Sequence, residues 1–301
     1  MPSQQNLRRL IAGISLFAAV VLIVWLIGVF RARPIASHEF FDQFVSDNPI
    51  VVSDVSTSGL WPENTLAAIR GSRALGLDVV AVDVRLSSDG VPVLMNDATV
   101  DRTTDGTGLV IEQTSEQLRV LDAGYSFQFD GSSGYPFRGL GLSVPALEQV
   151  MREFPDLGVL LFLKDDDARL VQSVGSLVRE YDRADRTIIY TETEELGDVV
   201  RADFPEVATV ATDDETRLFG FLHTILSSRA FTPEAQLMLL DRRTRGTNPS
   251  VRFVNDAYRQ GLRVAVRTNA VGADVRELAE HRVHFIITPL PDLVMTSLRR
   301  L

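Results

Sequence analysis

Residues 78–97 read DVVAVDVRLSSDGVPVLMND, and this stretch decides the fold of the chain. Two runs rich in β-branched residues, 78–84 and 91–96, predict strands, and the Asp89-Gly90 pair between them is a hairpin-turn signal. Both strands end on polar side chains, Asp83 in the first and Asn96-Asp97 in the second. Similar runs recur along the chain and alternate with helical patterns, which is typical of βαβ units with parallel strands.

The alternation predicts nine strands and seven helices after residue 49. The strand candidates are 50–55, 78–84, 91–96, 157–163, 186–190, 206–210, 236–240, 262–267 and 284–288. The helix candidates are 62–75, 144–153, 167–181, 194–202, 216–228, 250–260 and 273–280. This number of strands fits a (β/α)8 TIM-type barrel with one additional strand, and a doubly wound open sheet is the alternative. No G-x-G-x-x-G follows the first strand, which disfavours a dinucleotide-binding open sheet. Residues 101–143 predict an irregular insertion.

Composition excludes several chemistries. The 301 residues contain no cysteine, so disulfides, thiolate metal sites and cysteine nucleophiles are impossible. Acidic residues outnumber basic ones by 40 to 30, and this balance argues against a nucleic-acid-binding protein. The single lysine is Lys164, and the four histidines are His38, His223, His281 and His284.

Residues 10–30, LIAGISLFAAVVLIVWLIGVF, contain no charged side chain. As a helix they would measure about 30 Å, enough to cross a bilayer, and they exceed a typical signal-peptide core. The sequence therefore predicts a tail (1–9), a retained transmembrane helix (10–30), a juxtamembrane stalk (31–48) and a barrel domain (49–301), with a cleaved signal as the alternative. Within the stalk, Phe40, Phe41 and Phe44 are expected to pack on the membrane surface or on the domain.

Charges beside the span only slightly favour one orientation. Arg8 and Arg9 precede it, and Arg31 and Arg33 follow it. The free α-amino group adds to the positive charge at the amino-terminal side, which favours a cytoplasmic amino terminus and a barrel on the non-cytoplasmic side.

Five motifs resemble the glycerophosphodiester phosphodiesterase family. They are WPENT (61–65), DVRLSSDGVPV (83–93), DATVDRTTDGTG (97–108), YPFRG (135–139) and VPALE (144–148). The resemblance is dense over 50–165 and weaker over 250–294. It implies a TIM-type barrel and hydrolysis of glycerophosphodiesters to an alcohol and glycerol 3-phosphate. It also implies two histidines for acid–base chemistry, basic phosphate contacts, and a divalent cation such as Ca²⁺ or Mg²⁺ held by carboxylates.

This sequence departs from the family at the positions that carry the chemistry. The family's H-R-G is replaced by Asp54-Val55-Ser56, and its second histidine by Asn96. The metal-binding E-x-D reads Ala81-Val82-Asp83, and the E-x-K of the fourth strand reads Phe162-Leu163-Lys164. None of the four histidines occupies an acid–base position.

Two later family positions are also changed. Where the family has W-T-x-N, the chain has Val266-Arg267-Thr268-Asn269, and Pro289 replaces the aspartate after the last strand. Asp83 alone would bind a divalent cation poorly, because such cations take several oxygen ligands. We therefore expect no metal cofactor. Lys164 is the candidate phosphate contact, with an ion pair to Asp83 or Asp54 as the alternative.

The remaining polar motif residues are interpreted as structural. Pro62–Thr65 predicts the first turn of a helix, in which Glu63 and Asn64 would serve the fold. Asp97, Arg102, Thr103 and Thr104 are expected to hold the insertion over the barrel mouth.

Three functions stay open at this point. The first is a membrane-anchored, catalytically inactive family member that acts as a binding or assembly module. The second is a divergent phosphodiesterase whose altered site uses Asp54, Asp83, Asp97 and Lys164. The third is an accessory subunit of a membrane complex. The expected partners are the membrane, a membrane protein and an anionic small ligand, without nucleic acid.

Overall fold

The computed structural model describes residues 32–43, 48–56, 59–129, 133–242 and 248–299. The predicted tail and transmembrane helix, and Phe44 of the predicted stalk, lie outside these ranges. Inside them, none of the helices combines the length and the hydrophobicity of a transmembrane span.

Eight parallel strands form a barrel in the described part of the chain, and a ninth strand pairs antiparallel with the second. The strands are β1 (Ile50–Asp54), β2 (Val79–Leu86), β3 (Pro92–Leu94), β4 (Gly158–Leu163), β5 (Thr187–Thr191), β6 (Ala208–Thr209), β7 (Leu237–Asp241), β8 (Arg263–Arg267) and β9 (Phe285–Thr288). Their order is β6-β5-β4-β2-β1-β9-β8-β7, with β3 outside the barrel. A parallel bridge between Val210 and Leu237 joins β6 to β7. The predicted TIM-type barrel is confirmed, and β3 is the additional strand.

Helices cover the outside of the barrel and run back towards the amino-terminal ends of the strands. The α-helices of the described residues are α1 (Glu39–Asp42), α2 (Leu66–Ala74), α3 (Ser115–Arg119), α4 (Leu147–Glu153), α5 (Ala168–Glu180), α6 (Glu194–Asp203), α7 (Asp213–Thr224), α8 (Val251–Arg259), α9 (Ala273–Glu280) and α10 (Pro291–Leu298). Their apolar faces pack on the strands in two large clusters, one around Val82 and Leu161 and one around Val264 and Ile286.

The prediction that Pro62–Thr65 forms the first helical turn is wrong. Asn64 has a φ of 52°, in the left-handed region, so the chain turns there instead of continuing as a right-handed helix. Helix α2 begins at Leu66, and the Thr65 hydroxyl caps it by accepting a hydrogen bond from the Ala68 amide at 3.2 Å. This turn places Glu63 and Asn64 at the carboxyl end of the barrel.

The insertion after β3 is more ordered than its composition predicts. It contains a 3₁₀ helix (Val110–Glu112) and α3, and the Thr114 and Gln117 side chains form a capping box at the start of α3. A separate small core, including the buried side chains of Val100 and Leu118, holds the insertion together. The insertion is therefore a packed unit beside the barrel.

Helix α1 closes the amino-terminal end of the barrel. Phe40 and Phe41 are buried, and their rings lie 6.3 and 6.0 Å from the ring of Phe285 at the start of β9. His38 Nε2 contacts the Glu206 carbonyl oxygen at 2.8 Å, just before β6. Of the two alternatives for these phenylalanines, the structure shows packing on the domain. Phe40 and Phe41, which the sequence places in the stalk, contribute to the barrel core.

Candidate functional site at the barrel mouth

A cleft of about 500 Å³ opens at the carboxyl ends of the strands, where TIM barrels carry their chemistry. Its walls come from the turn before α2, the insertion and the loops after β8 and β9. The lining residues are Gly59, Pro62, Glu63, Arg102, Thr103, Ala123, Ser126, Phe127, Gln128, Asn269, Pro289 and Leu290. As predicted, the insertion lies at the mouth.

Asp54, the last residue of β1, is fully buried in an ion pair with Arg267, the last residue of β8. Arg267 Nε lies 2.6 Å from Asp54 Oδ2. Ser56 completes the group: its hydroxyl donates to Asp54 Oδ1 at 2.6 Å and accepts a hydrogen bond from Arg267 Nη2 at 2.9 Å. Both carboxylate oxygens of Asp54 are therefore engaged. Because Ser56 and Arg267 occupy both oxygens, Asp54 is not placed to accept a proton from a substrate hydroxyl as a histidine would.

Apolar side chains fill the two positions at which the family resemblance predicts further carboxylates. Ala81 and Phe162 are both buried in the barrel interior. The guanidinium of Arg267 lies over the Phe162 ring, 4.8 Å from its centroid, and the Tyr190 ring packs on the same phenylalanine at 5.2 Å. Such a guanidinium–ring contact is a favourable cation–π interaction. A protein cation thus occupies this part of the mouth.

Asp83 is the remaining carboxylate of the metal site that the family resemblance implies. Burial raises its pKa to about 6, the Lys164 ammonium opposes that rise, and the Asp54 carboxylate adds to it. Its Oδ2 is buried without a hydrogen-bond partner in the described part of the chain. Asn64 lies beside it, since the Asn64 Oδ1 accepts a hydrogen bond from the Asp83 amide at 3.1 Å. These surroundings make the charged form of Asp83 less favourable than that of an exposed aspartate, which weakens it as a ligand for a cation.

The residues present do not fit a divalent cation. Asp83 offers one carboxylate, Asp54 is committed to Arg267, and a bound cation would be repelled by that guanidinium. In the five described ranges, no group of three or more histidine, aspartate or glutamate side chains is arranged to hold a metal ion.

Lys164 pairs with a residue that the sequence did not single out. Its Nζ lies 2.9 Å from Glu192 Oε1, on the loop after β5, whereas the expected alternative was Asp83 or Asp54. The ammonium is partly exposed at the rim of the mouth. Asn96, at the position predicted for the second histidine, is half-buried. Its main-chain carbonyl oxygen accepts a hydrogen bond from Arg85 Nε at 2.8 Å.

Arg102 ties three segments of the mouth together. It forms a double hydrogen bond to Glu63, with Nη1–Oε2 and Nη2–Oε1 distances of 2.9 and 2.5 Å, and its Nε contacts Asp97 Oδ2 at 2.5 Å. The hydroxyl of Ser126 in the insertion donates to the Arg102 carbonyl oxygen at 2.5 Å. The two carboxylates raise the pKa of Arg102, and burial raises the pKa of Glu63. These contacts match the structural roles predicted for Asp97 and Arg102.

The two threonines that follow Arg102 also make internal contacts. Thr103 Oγ1 lies 3.7 Å from Met95 Sδ, and Thr104 Oγ1 donates to the Val100 carbonyl oxygen at 2.8 Å. Both side chains are buried and hold the start of the insertion.

Sequence reasoning missed the importance of Arg267, Ser56 and Tyr190. Arg267 follows three apolar residues at the carboxyl end of the strand RVAVR, the end that faces the mouth, and that was the available signal. Burial raises the pKa of Tyr190 to about 12, with the Asp213 and Glu192 carboxylates contributing.

The histidines lie away from this cleft. Burial lowers the pKa of His284 to about 4 at the opposite end of the barrel, and His223 contacts Asp256 at 2.9 Å between α7 and α8.

Comparisons with known proteins agree with the fold. The sequence profile of the glycerophosphoryl diester phosphodiesterase family matches residues 56–293. An uncharacterized protein of Mycobacterium tuberculosis is 34% identical over 182 residues, which cover 59% of this chain and 57% of that protein. Human glycerophosphodiester phosphodiesterase 1 is 57% identical over 61 residues, 20% of this chain and 18% of the human protein. The chain therefore spans about half or less of the length of these curated relatives.

A solved structure extends the likeness over most of the barrel. The crystal structure of a glycerophosphodiester phosphodiesterase from Agrobacterium tumefaciens superimposes with a TM-score of 0.65 at 28% identity. The match covers 82% of this chain and 99% of the Agrobacterium chain.

Proposed function

The chain belongs to the glycerophosphoryl diester phosphodiesterase family, and from that premise we propose that it is a member without hydrolytic activity. In this proposal the barrel is anchored to a membrane by residues 10–30, and its mouth serves as a binding or assembly module. The observation that carries the proposal is the buried group formed by Asp54, Ser56 and Arg267. It occupies the place of the family's first histidine and brings a fixed positive charge beside the position of the metal.

Each step of phosphodiester hydrolysis lacks its residue in this mouth. The attacking hydroxyl needs a base, but Asp54 is held by a guanidinium and Asn96 does not exchange protons near neutral pH. The negative charge of the phosphate needs a cation to neutralise it. Arg267 is already paired with Asp54, and Lys164 is already paired with Glu192. These contacts support loss of the reaction with retention of the scaffold.

A binding role suits the groups that line the open cleft. Arg102 is half exposed there, and its guanidinium is held in a fixed position by Glu63 and Asp97. Lys164 lies partly exposed at the rim. An anionic small ligand would contact the exposed parts of these two cations in competition with the carboxylates of Glu63, Asp97 and Glu192, which already pair with them.

One observation favours the second candidate, a divergent phosphodiesterase. With a pKa of about 6, Asp83 could exchange a proton near neutral pH, as a general acid or base must. In that mechanism Asp83 would have to act without the second acid–base residue and the carboxylate-bound cation of the family.

The test is glycerol 3-phosphate release from glycerophosphocholine by the purified chain in the presence of Ca²⁺ or Mg²⁺. We expect no turnover, whereas an active family member assayed in parallel should give product. Metal-dependent turnover by the unaltered chain would sink the proposal. Turnover that disappears in Asp83→Asn and follows an ionisation near pH 6 would establish the divergent phosphodiesterase instead.

A variant in which the family's residues are restored tests whether their substitution causes the loss of activity. It carries Asp54→His, Ala81→Glu, Asn96→His and Phe162→Glu, together with Arg267→Thr. The last change is required by the structure, because Asp54→His would otherwise leave a buried guanidinium unpaired next to the metal position. Gain of metal-dependent turnover would assign the loss of activity to these five positions, and circular dichroism would check that the restored chain is folded.

A further inference from the structure

The end of the barrel opposite the mouth carries exposed apolar side chains on two neighbouring helices. Phe221, Ile225 and Leu226, at the end of α7 and just after it, are 60%, 50% and 67% exposed. Tyr258, near the end of α8, is 58% exposed, and the His223–Asp256 contact at 2.9 Å joins the two helices. Large apolar side chains that stay exposed at one end of a domain are candidates for burial against a partner. We call these four residues the apolar end patch.

The chain from the predicted span arrives beside this patch. The Ile35 amide donates to the Gln260 carbonyl oxygen at 2.9 Å, two residues after Tyr258. Gly261, the residue after Gln260, has a φ of 82°, and a Cβ atom on it would overlap the Ile35 carbonyl oxygen. A glycine is therefore needed for this close approach. Residue 35 is thus bound to the domain.

The tether between span and barrel is short as a result. The sequence alone predicts a stalk of 18 residues, 31–48, whereas the structure fixes the chain to the barrel from residue 35 onwards. The five Cα–Cα steps from residue 30 to residue 35 reach at most about 17 Å even when the chain is fully extended. A bilayer crossed by residues 10–30 would therefore lie close to the end of the barrel that carries the apolar end patch.

We propose that the apolar end patch docks on the surface of the bilayer that residues 10–30 cross, so that the mouth faces away from the membrane. This proposal rests on the membrane anchor of the proposed function. Aromatic and aliphatic side chains enter the interfacial region of a bilayer, and arginines beside them contact anionic headgroups. Arg229 and Arg259 are exposed beside the patch, and Arg33 lies on the tether. The partner is accordingly a lipid surface that contains anionic lipid.

The 301 residues contain no cysteine, so a single introduced cysteine is the only site that a thiol-reactive label modifies. The orientation of the barrel relative to the membrane can therefore be measured with labels at chosen positions. Ile225→Cys carries an environment-sensitive fluorophore in the patch. Val120→Cys carries the same fluorophore at the end of α3, in the insertion at the mouth, where the native side chain is 69% exposed. Both proteins are reconstituted into vesicles of phosphatidylcholine and phosphatidylglycerol, and quenching by brominated lipid is compared with quenching by aqueous iodide.

We expect brominated lipid to quench the label at 225 and iodide to quench the label at 120. A second protein, Ile225→Cys with Phe221→Ser and Leu226→Asn, should lose lipid quenching at 225 while it stays in the vesicles. Asparagine is chosen at 226 because that residue has a φ of 62°, which asparagine tolerates.

Three results would overturn the proposal. If both labels are quenched by iodide alone, the domain stands clear of the lipid and the patch serves another partner. If the label at 120 is the one quenched by lipid, the mouth faces the membrane. If the chain fails to float with the vesicles, the anchor itself is wrong, and flotation separates this failure from the first two.

Discussion

At the residue scale, the mouth contains a cation supplied by the chain itself. Arg267 neutralises Asp54 and rests on Phe162, so the substituted positions form one mutually compatible group. Each substitution taken alone would be costly. Asp54 without Arg267 is a buried unpaired charge, and Arg267 would lack its cation–π contact if position 162 were not aromatic. The new residues therefore depend on one another for stability.

We predict strong energetic coupling between Asp54 and Arg267. Asp54→Ala or Arg267→Ala alone leaves a buried partner unpaired and should lower the free energy of unfolding by about 3–5 kcal/mol. The double variant should lose clearly less than the two single losses combined. Urea unfolding of the four proteins measures this coupling. The exposed pair Glu116 and Arg119, treated in the same way, serves as the control and should show no measurable coupling. Additive losses at Asp54 and Arg267 would contradict the interpretation.

Asp83 gives a second prediction at this scale, a stability that falls as the pH rises. Its pKa is raised from 3.8 to about 6 in the folded chain, so between these values the folded state binds more protons than the unfolded state. The free energy of unfolding therefore decreases as the pH rises from about 4 to about 6 and levels off above that. Of the roughly 3 kcal/mol that this raised pKa represents, about 2 kcal/mol is lost between pH 4 and pH 7.

Asp83→Asn should remove this contribution. Its stability relative to the unaltered chain should increase between pH 4 and pH 7, measured by urea unfolding in steps of pH. Glu116→Gln is the control, because Arg119 lowers the pKa of that exposed carboxylate and no such increase is expected. A pH-independent difference between Asp83→Asn and the unaltered chain would show that Asp83 is charged throughout.

At the scale of elements, close packing decides where a helix tolerates a side chain. Gly175 in α5 lies against the buried ring of Phe204, which follows α6, and a Cβ atom at 175 would overlap that ring. Gly220 in α7 has nothing within 4 Å of the place where its Cβ would lie. Both are helical glycines, so their sequence signal is the same and only their packing differs.

We predict opposite effects for the two alanine substitutions. Gly175→Ala should lower the free energy of unfolding by about 1–3 kcal/mol, since overpacking outweighs the gain in helix propensity. Gly220→Ala should raise it by up to about 1 kcal/mol, because only the propensity gain operates there. Thermal unfolding of both variants is the measurement. Stabilisation by Gly175→Ala would mean that Phe204 moves aside freely.

At the scale of the whole molecule, the barrel has one weak seam. Strand β6 contains only Ala208 and Thr209, and it meets β7 through the single Val210–Leu237 bridge. Two further bonds cross there, from the Ala211 amide to the Leu237 carbonyl oxygen at 2.7 Å and from the Gln236 amide to the Thr209 carbonyl oxygen at 3.2 Å. Between β2 and β4, six consecutive residue pairs are in register.

We predict that hydrogen exchange separates this seam from the rest of the barrel. Local opening requires fewer bonds to break between β6 and β7, so amides at 209–211 and 236–237 should exchange faster than those of β2 and β4. Mass spectrometry of peptides after deuterium labelling provides the comparison. Equal protection at both places would show that the barrel opens only as one unit.

The sequence by itself determined the fold, and from motif spacing it predicts the positions where family chemistry is replaced. Alternating strand and helix patterns follow from local hydrogen bonding and from the burial of one face, and both are written in neighbouring residues. The substitutions at 54, 81, 96 and 162 needed only the spacing of motifs around them. The turn at Asn64 was missed, because proline near a helix start is a local preference that the tertiary contact to the Asp83 amide overrides.

Only the tertiary structure decided what the replaced residues do. Asp54 and Arg267 are 213 residues apart in the chain and meet because barrel closure brings β1 and β8 within reach of one another across the mouth. Lys164 pairs with Glu192 for the same reason, since both stand at the carboxyl ends of adjacent strands. The packing of Phe40 and Phe41 into the closed end of the barrel likewise depends on residues from several distant strands. Such partners are set by three-dimensional proximity, and no local pattern in the sequence carries that information.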